Sequence, residues 1–180
     1  MSRSAPKSIE LEQLVFRDWQ PNDAIPPITE LLHEAYSFLA KMGFNYTATY
    51  QDDATTLHRL QSGSSIVAVV NGAIVGTVTL YAPKPGSACA WYTHTPHFGQ
   101  FGVHPDFQKL GIGRELMRRV EERARDAGAT ELALDTSEGA DHLCRWYQGM
   151  GYRFIQHVTW EGKTYRSVIL SKMLAPVPPS

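Results

Sequence analysis

The sequence predicts an α/β fold, a mixed sheet with helices packed on its faces. Three observations carry this. Short β-branched, apolar runs alternate with segments whose apolar residues recur at helical spacing. Asn71-Gly72 separates two such runs, a strong hairpin signal because both residues tolerate positive φ. Gly43, Gly128 and Gly151 each follow a helical pattern, where a left-handed residue stops a helix.

The elements follow in order. Leu14-Val15-Phe16 with Trp19 reads as a first strand. Pro21-Asn22-Asp23 offers a helix start, and Pro26-Pro27 suit a first turn, where a missing N–H costs little. Ile28, Leu31, Leu32, Ala35, Phe38 and Leu39 then form an inward stripe. Phe44 to Tyr50 is an aromatic loop, and a short helix runs from about Asp53 to Leu60. Ser65–Val70 and Ala73–Tyr81 flank the hairpin turn. A loop of Pro, Gly and Ser, Ala82 to Ala88, leads to Trp91-Tyr92 and a strand around Phe98–Val103. A long helix opens near Gly111 and ends at Ala127, with Ile112, Leu116, Val120 and Ala124 inward and Arg118, Glu122 and Arg125 in solvent. A strand at Glu131–Asp135, a helix at Ala140–Met150 and a closing hairpin follow. That hairpin pairs Tyr152–Trp160 with Thr164–Leu170 through a Glu161-Gly162 turn. The order is β-α-α-β-β-β-α-β-α-β-β.

Composition sets bounds on function. The 180 residues suit one compact domain, read as residues 11–174 between a flexible N-terminus (1–10) and a Pro-rich tail (175–180). With 17 basic and 18 acidic side chains the net charge is −1, which gives no global case for nucleic acid or an anionic membrane. No apolar run approaches the roughly 20 residues of a membrane span, and no secretory signal is legible, so a cytoplasmic protein is expected. Cys89 and Cys144 make neither a CxxC pair nor a zinc site, and two reduced, partly buried thiols are expected.

The stretch from Val103 to Arg114, Val-His-Pro-Asp-Phe-Gln-Lys-Leu-Gly-Ile-Gly-Arg, carries the chemistry. It joins a strand to a helix whose first N–H groups have no intrahelical partner and whose dipole adds positive charge. A diphosphate can rest on those amides if side chains stay clear, and Gly111 and Gly113 lack Cβ atoms there. Lys109 and Arg114 add charge at the rim. The dinucleotide fingerprint needs a third glycine, but residue 116 is Leu; the P-loop needs Gly-Lys-Ser/Thr, but Arg114-Glu115 follow Gly113.

In context, Gln108, Gly111 and Gly113 match the [RQ]-x-x-G-x-[GA] pattern of GNAT N-acetyltransferases, and this stretch resembles that family's acetyl-CoA-binding motif. Tyr147 to Tyr152 looks like the family's YxxxGF helix end, with Tyr152 in place of Phe. The resemblance covers about Leu14 to Leu174 and implies the GNAT fold, a mostly antiparallel mixed sheet. It implies acetyl-CoA as cofactor and direct acetyl transfer to an amine, a small-molecule amine being favoured over a protein. Amides of Lys109, Leu110, Gly111, Ile112, Gly113 and Arg114 would hold the diphosphate. Main-chain groups at Phe101, Gly102 and Val103 would hold the pantetheine arm, where the family's fourth strand splays from its neighbour. Tyr147 would protonate the departing thiolate. The Asn that the family often carries seven residues earlier is Ala140 here, and His142 is the candidate replacement. Homodimers are frequent in the family, but no interface is legible here.

A protonated amine cannot attack a thioester, so a group or water chain must take its proton. The family often uses a Glu on the fourth strand; this strand has no carboxylate, and His97, with His94 and Asp135 behind it, is the candidate base. Phe44, Tyr46, Tyr50, Trp91 and Tyr92 are the candidate acceptor-site aromatics. Asp52 and Asp53 either attract a cationic amine or cap the second helix. The alternative function is a catalytically idle acyl-CoA-binding module of the same fold.

Overall fold

The computed structural model describes residues 13–176. The N-terminal segment 1–10 and most of the Pro-rich tail lie outside that range. A seven-stranded sheet runs in the order β1-β2-β3-β4-β5-β7-β6. Its strands are β1 (Leu14–Asp18), β2 (Ser64–Val70), β3 (Ala73–Tyr81), β4 (His97–Val103), β5 (Glu131–Ser137), β6 (Arg153–Val158) and β7 (Ser167–Met173). All neighbours pair antiparallel except β4 and β5, which run parallel and are bridged only at His97 and Ala133. Beyond that bridge the two strands part, and a cleft enters the middle of the sheet.

Helices cover both faces. On one, α3 (Ile112–Asp126) and α4 (Asp141–Gly149) enclose the largest core, with Ile112, Leu116, Met117 and Val120 at most 1% exposed. Gly76 permits this approach: a Cβ there would stand 3.1 Å from Leu116 Cδ1. On the other face α1 (Ile25–Lys41) and α2 (Asp53–Gln61) bury Ile28, Leu31, Leu32 and Leu60. The 82–96 segment, with a single 3-10 turn at Ala90–Thr93, covers β5 and β7 through Cys89 and Tyr92. Each fully buried Leu or Ile contributes roughly 2 kcal/mol, so these clusters set the sheet's register.

Local signals account for the turns. Asn71 and Gly72 have φ of 50° and 80°, the two left-handed residues that a tight hairpin requires. Asp52 caps α2 by accepting from the Thr55 amide at 2.8 Å. Four expectations are corrected by tertiary contacts. Asp23 does not cap α1; it binds Arg17 through two bonds of 2.8 Å, and Ala24 takes the cap position without a side-chain bond. Phe38, expected on the inward stripe, is 61% exposed because the cleft lies beside it. Arg125, expected in solvent, is partly buried, with its Nε lacking an acceptor among the described residues. The closing hairpin keeps its Glu161-Gly162 turn, closed by the Lys163 amide donating to the Trp160 carbonyl at 3.2 Å, but its strands stop short of it: β6 ends at Val158 and β7 starts at Ser167. Both cysteines are free thiols, Cys89 buried and Cys144 partly so.

Candidate active site

The cleft between β4 and β5 has a volume of about 640 Å³. Its floor is Phe101, Gly102 and Val103, and its walls come from α1, the loop before α3, and α4. Gly111 is the N-cap of α3 at φ +85°, a conformation only glycine takes cheaply, and a Cβ there would meet no atom within 4 Å. No backbone carbonyl among the described residues accepts from the amides of Lys109 through Arg114. An uncapped helix start with open space before it suits an anionic group such as a diphosphate. Gln108 shapes the bend by donating to the Val103 carbonyl at 3.0 Å. Lys109, itself at φ 64°, and Arg114 line the cleft and are exposed, while Leu110 is exposed beside it. Ile112 turns its side chain into the core, so only its amide is available. Gly113 lies where a Cβ would touch Phe101, Val103 and Trp146 at ordinary distances of 3.6 to 3.9 Å.

Tyr147 lines the same cleft at its inner end, 6% exposed. Burial first, then the nearby Tyr36, Tyr46 and Asp135, push its phenol well above the usual range, so it stays a neutral hydrogen-bond donor. His142 lines the outer part, edge-on to Phe38 at 5.7 Å. Ala140 is fully buried. Three cleft residues were not singled out from sequence. Trp146 stacks on Phe101 at 5.9 Å, Tyr36 donates to the Phe101 carbonyl at 2.8 Å, and Phe38 forms the apolar lip. An aromatic on the weak side of each helix stripe is the only sequence signal they carry.

Behind the cleft, on the α1 and α2 face, lies a cluster of tyrosines. The Ser137 amide donates to Tyr46 Oη at 2.8 Å, and the same hydroxyl meets Thr136 Oγ1 at 2.8 Å. Tyr46 stacks on Tyr165 at 4.8 Å and is edge-on to Tyr36 at 5.4 Å; Phe44 closes on Tyr165 at 5.7 Å. Lys163 ties the two rim loops together, donating to the Asn45 carbonyl and Thr47 Oγ1 at 3.0 Å and to Tyr50 Oη at 3.2 Å. Its charge and hydrogen bond lower the Tyr50 pKa. Thus Phe44, Tyr46 and Tyr50 gather on one rim. Trp91 and Tyr92 stand on another, where Tyr92 stacks on His97 at 3.9 Å.

Asp135 lies beside this cluster, close enough for its charge to act on Tyr36 and Tyr46. It accepts from Tyr92 Oη and Trp160 Nε1 at 3.0 Å and from Ser167 Oγ at 3.2 Å. Its negative charge adds to burial in raising the pKa of Tyr36, Tyr46, Tyr147 and Tyr165. His97 sits at the β4–β5 bridge with Nδ1 buried and without a partner. Burial, helped by Lys84, lowers its pKa to about 4. It is neutral at pH 7, and taking a proton from an ammonium of pKa about 10 would be uphill by roughly 8 kcal/mol. His94 is exposed on the far rim of the molecule. Gln100 makes the β4 bulge at φ 47°, a strained position for a non-glycine residue that costs about 1–3 kcal/mol, held by Gln51 at 3.2 Å and the Thr56 carbonyl at 3.4 Å.

Residues 25–152 match the Acetyltransferase (GNAT) family. The chain belongs to that family. A curated relative, S-(2-succino)cysteine N-acetyltransferase of Bacillus subtilis, is 30% identical over 130 residues, which span 69% of this chain and 76% of that one. A GNAT family acetyltransferase from Elizabethkingia anophelis with acetyl-CoA bound superposes with a TM-score of 0.63 at 19% identity, covering 91% of this chain and 99% of the other. An acetyltransferase from Streptococcus agalactiae gives a TM-score of 0.70 at 20% identity over the same shares. Both solved chains share the fold described above. Among the described residues no helix is long and apolar enough to cross a membrane, and no group of three or more His, Cys, Asp or Glu is arranged to hold a metal.

Proposed function

We propose that this protein transfers the acetyl group of acetyl-CoA directly to the amine of a small molecule bound beside the tyrosine cluster. Acetyl-CoA is the cosubstrate that family membership assigns, and it supplies the activated thioester. The observation that carries the reading is the pair of sites meeting through the sheet. The open α3 start faces the cleft, and Tyr36 and Tyr147, which line that cleft, also feel the charge of Asp135 beside the tyrosine cluster.

Each residue then has a task. The amides of residues 109–114 and the Lys109 and Arg114 charges suit the diphosphate. Main-chain groups of β4 beyond His97 that have no β5 partner suit the pantetheine arm, the Phe101 and Val103 carbonyls being held by Tyr36 and Gln108. Phe101, Trp146 and Phe38 offer apolar cover that excludes water. Asp135 draws a cationic amine inward, and the amine's proton leaves to solvent along the hydroxyls, with the neutral His97 as a weak acceptor beside Tyr92. Tyr147 donates a hydrogen bond to the departing thiolate. Cys144, whose thiol burial raises in pKa, takes no part in direct transfer.

The test is thiol release from acetyl-CoA across a panel of small amines that includes S-(2-succino)cysteine, with products identified by mass. Amine-dependent release and an N-acetyl product are expected. Tight CoA binding with no amine raising release above the water background would assign the idle binding module instead.

A further inference from the structure

A second charge near the tyrosine cluster, Arg59, is not used by the acetyl transfer above. It stands near the end of α2, half-buried, and donates from Nη1 to Gln51 Oε1 at 2.7 Å. No carboxylate among the described residues lies within ion-pair distance of it. Keeping a guanidinium partly out of water without a counter-charge is costly unless an anion completes the site.

The guanidinium is also held in place. Gln51 is 2% exposed, donates to Thr56 Oγ1 at 2.7 Å and to Gln100 Oε1 at 3.2 Å, and meets His33 Nε2 at its carbonyl at 2.8 Å. Tyr81 donates to the Arg59 carbonyl at 3.3 Å. The Tyr81 bond ties the main chain of Arg59, and the buried Gln51 fixes one edge of its guanidinium. At the other edge, Nη2 lies 3.6 Å from where a Gly99 Cβ would stand, and that glycine leaves the approach clear. A planar guanidinium with one edge anchored and one edge open matches the two oxygens of a carboxylate. Asp135 carries the opposite sign, and the Tyr36 phenol, bonded to the Phe101 carbonyl, feels both charges.

We propose that Arg59 binds a carboxylate of the acceptor, so that the substrate is an amino acid or similar zwitterion with its amine toward Asp135. This rests on the acetyl-transfer reading. It narrows the acceptor class from amines in general to amines that carry an acid.

The experiment compares amino acids with their carboxamides, for example L-methionine, L-phenylalanine and L-glutamate beside L-methioninamide, L-phenylalaninamide and L-glutamate α-amide. Simple amines without an acid complete the panel, and acetyl-CoA affinity is measured separately by calorimetry. The wild-type protein is expected to prefer an acid over its amide by about 10- to 100-fold in kcat/KM, the range of one charge-assisted pair. Arg59→Ala is expected to bring that ratio to within about 3-fold of unity, with Arg59→Lys between the two. A wild-type ratio near unity overturns the proposal without needing any variant to fold. So does an unchanged ratio in Arg59→Ala, or acetylation confined to amines without an acid; in each of these cases acetyl transfer itself stands. Failure of every amine despite acetyl-CoA binding would remove the transfer reading, and this proposal with it.

Discussion

Replacing Gly111 by glutamate is expected to abolish CoA binding while leaving the fold intact. The backbone contribution comes first. Gly111 has φ +85°, and a side chain in the left-handed region costs about 1–2 kcal/mol. No atom lies within 4 Å of the new Cβ, so no clash is added. For a domain of this size that strain lowers Tm by roughly 2–7 °C. The electrostatic contribution is larger. A carboxylate about 6 Å from a phosphate charge, at an effective dielectric near 20, is disfavoured by about 3 kcal/mol. The diphosphate carries more than one such charge, so the loss in affinity is about 100-fold or greater. Gly111→Ala separates the two effects, since it carries the strain without the charge and should keep CoA affinity within about 10-fold. Calorimetric titration of CoA, with a thermal melt of each variant, reads both quantities. A folded Gly111→Glu protein that binds CoA as the parent does would refute the assignment of this bend to the diphosphate.

Two further outcomes follow from the same geometry. Tyr147→Phe is expected to lower kcat by about 10- to 100-fold while CoA affinity stays within about 3-fold, because it removes only the hydroxyl proposed to meet the thiolate; equal turnover in steady-state assays would end its donor role. His97, with its pKa lowered to about 4 by burial, should make the protein acid-sensitive. Above pH 6.5 it is neutral folded and unfolded and contributes nothing. Between pH 6.5 and 4 the unfolded chain binds the proton more tightly, so stability falls by up to about 3 kcal/mol and no further below that. Urea unfolding at pH 7 and pH 4.5 should show a smaller acid loss in His97→Phe than in the parent, and an equal loss would contradict the burial argument.

Much of the fold was legible because its signals are local. Asn71-Gly72 needs only its own two φ angles, Asp52 caps a turn three residues away, and the bend at Gly111 lies beside the helix it starts. The tyrosine cluster proposed as the acceptor site carried no such signal. Tyr46 meets Thr136 across 90 residues of chain, and Lys163 reaches Thr47 across 116. The five aromatics expected together divide into two rims, because Tyr92 belongs to the 82–96 segment and Tyr46 to the loop after α1. Sequence ranked His97 as a base by its residue type, but its low pKa depends on the Tyr92 ring and the burial that packing supplies.

The sequence by itself determined the order of elements, the helix that begins on an open glycine, and the likeness to amine acetyltransferases. Each is written in adjacent residues whose backbone preferences do not depend on the rest of the chain. Tertiary structure alone decided where β4 leaves β5, which side chains the resulting gap exposes, and that Arg59 and Asp135 both act on Tyr36. Those facts depend on contacts between distant segments, and a contact of that kind exists only after the sheet has assembled and the helices have closed on its two faces.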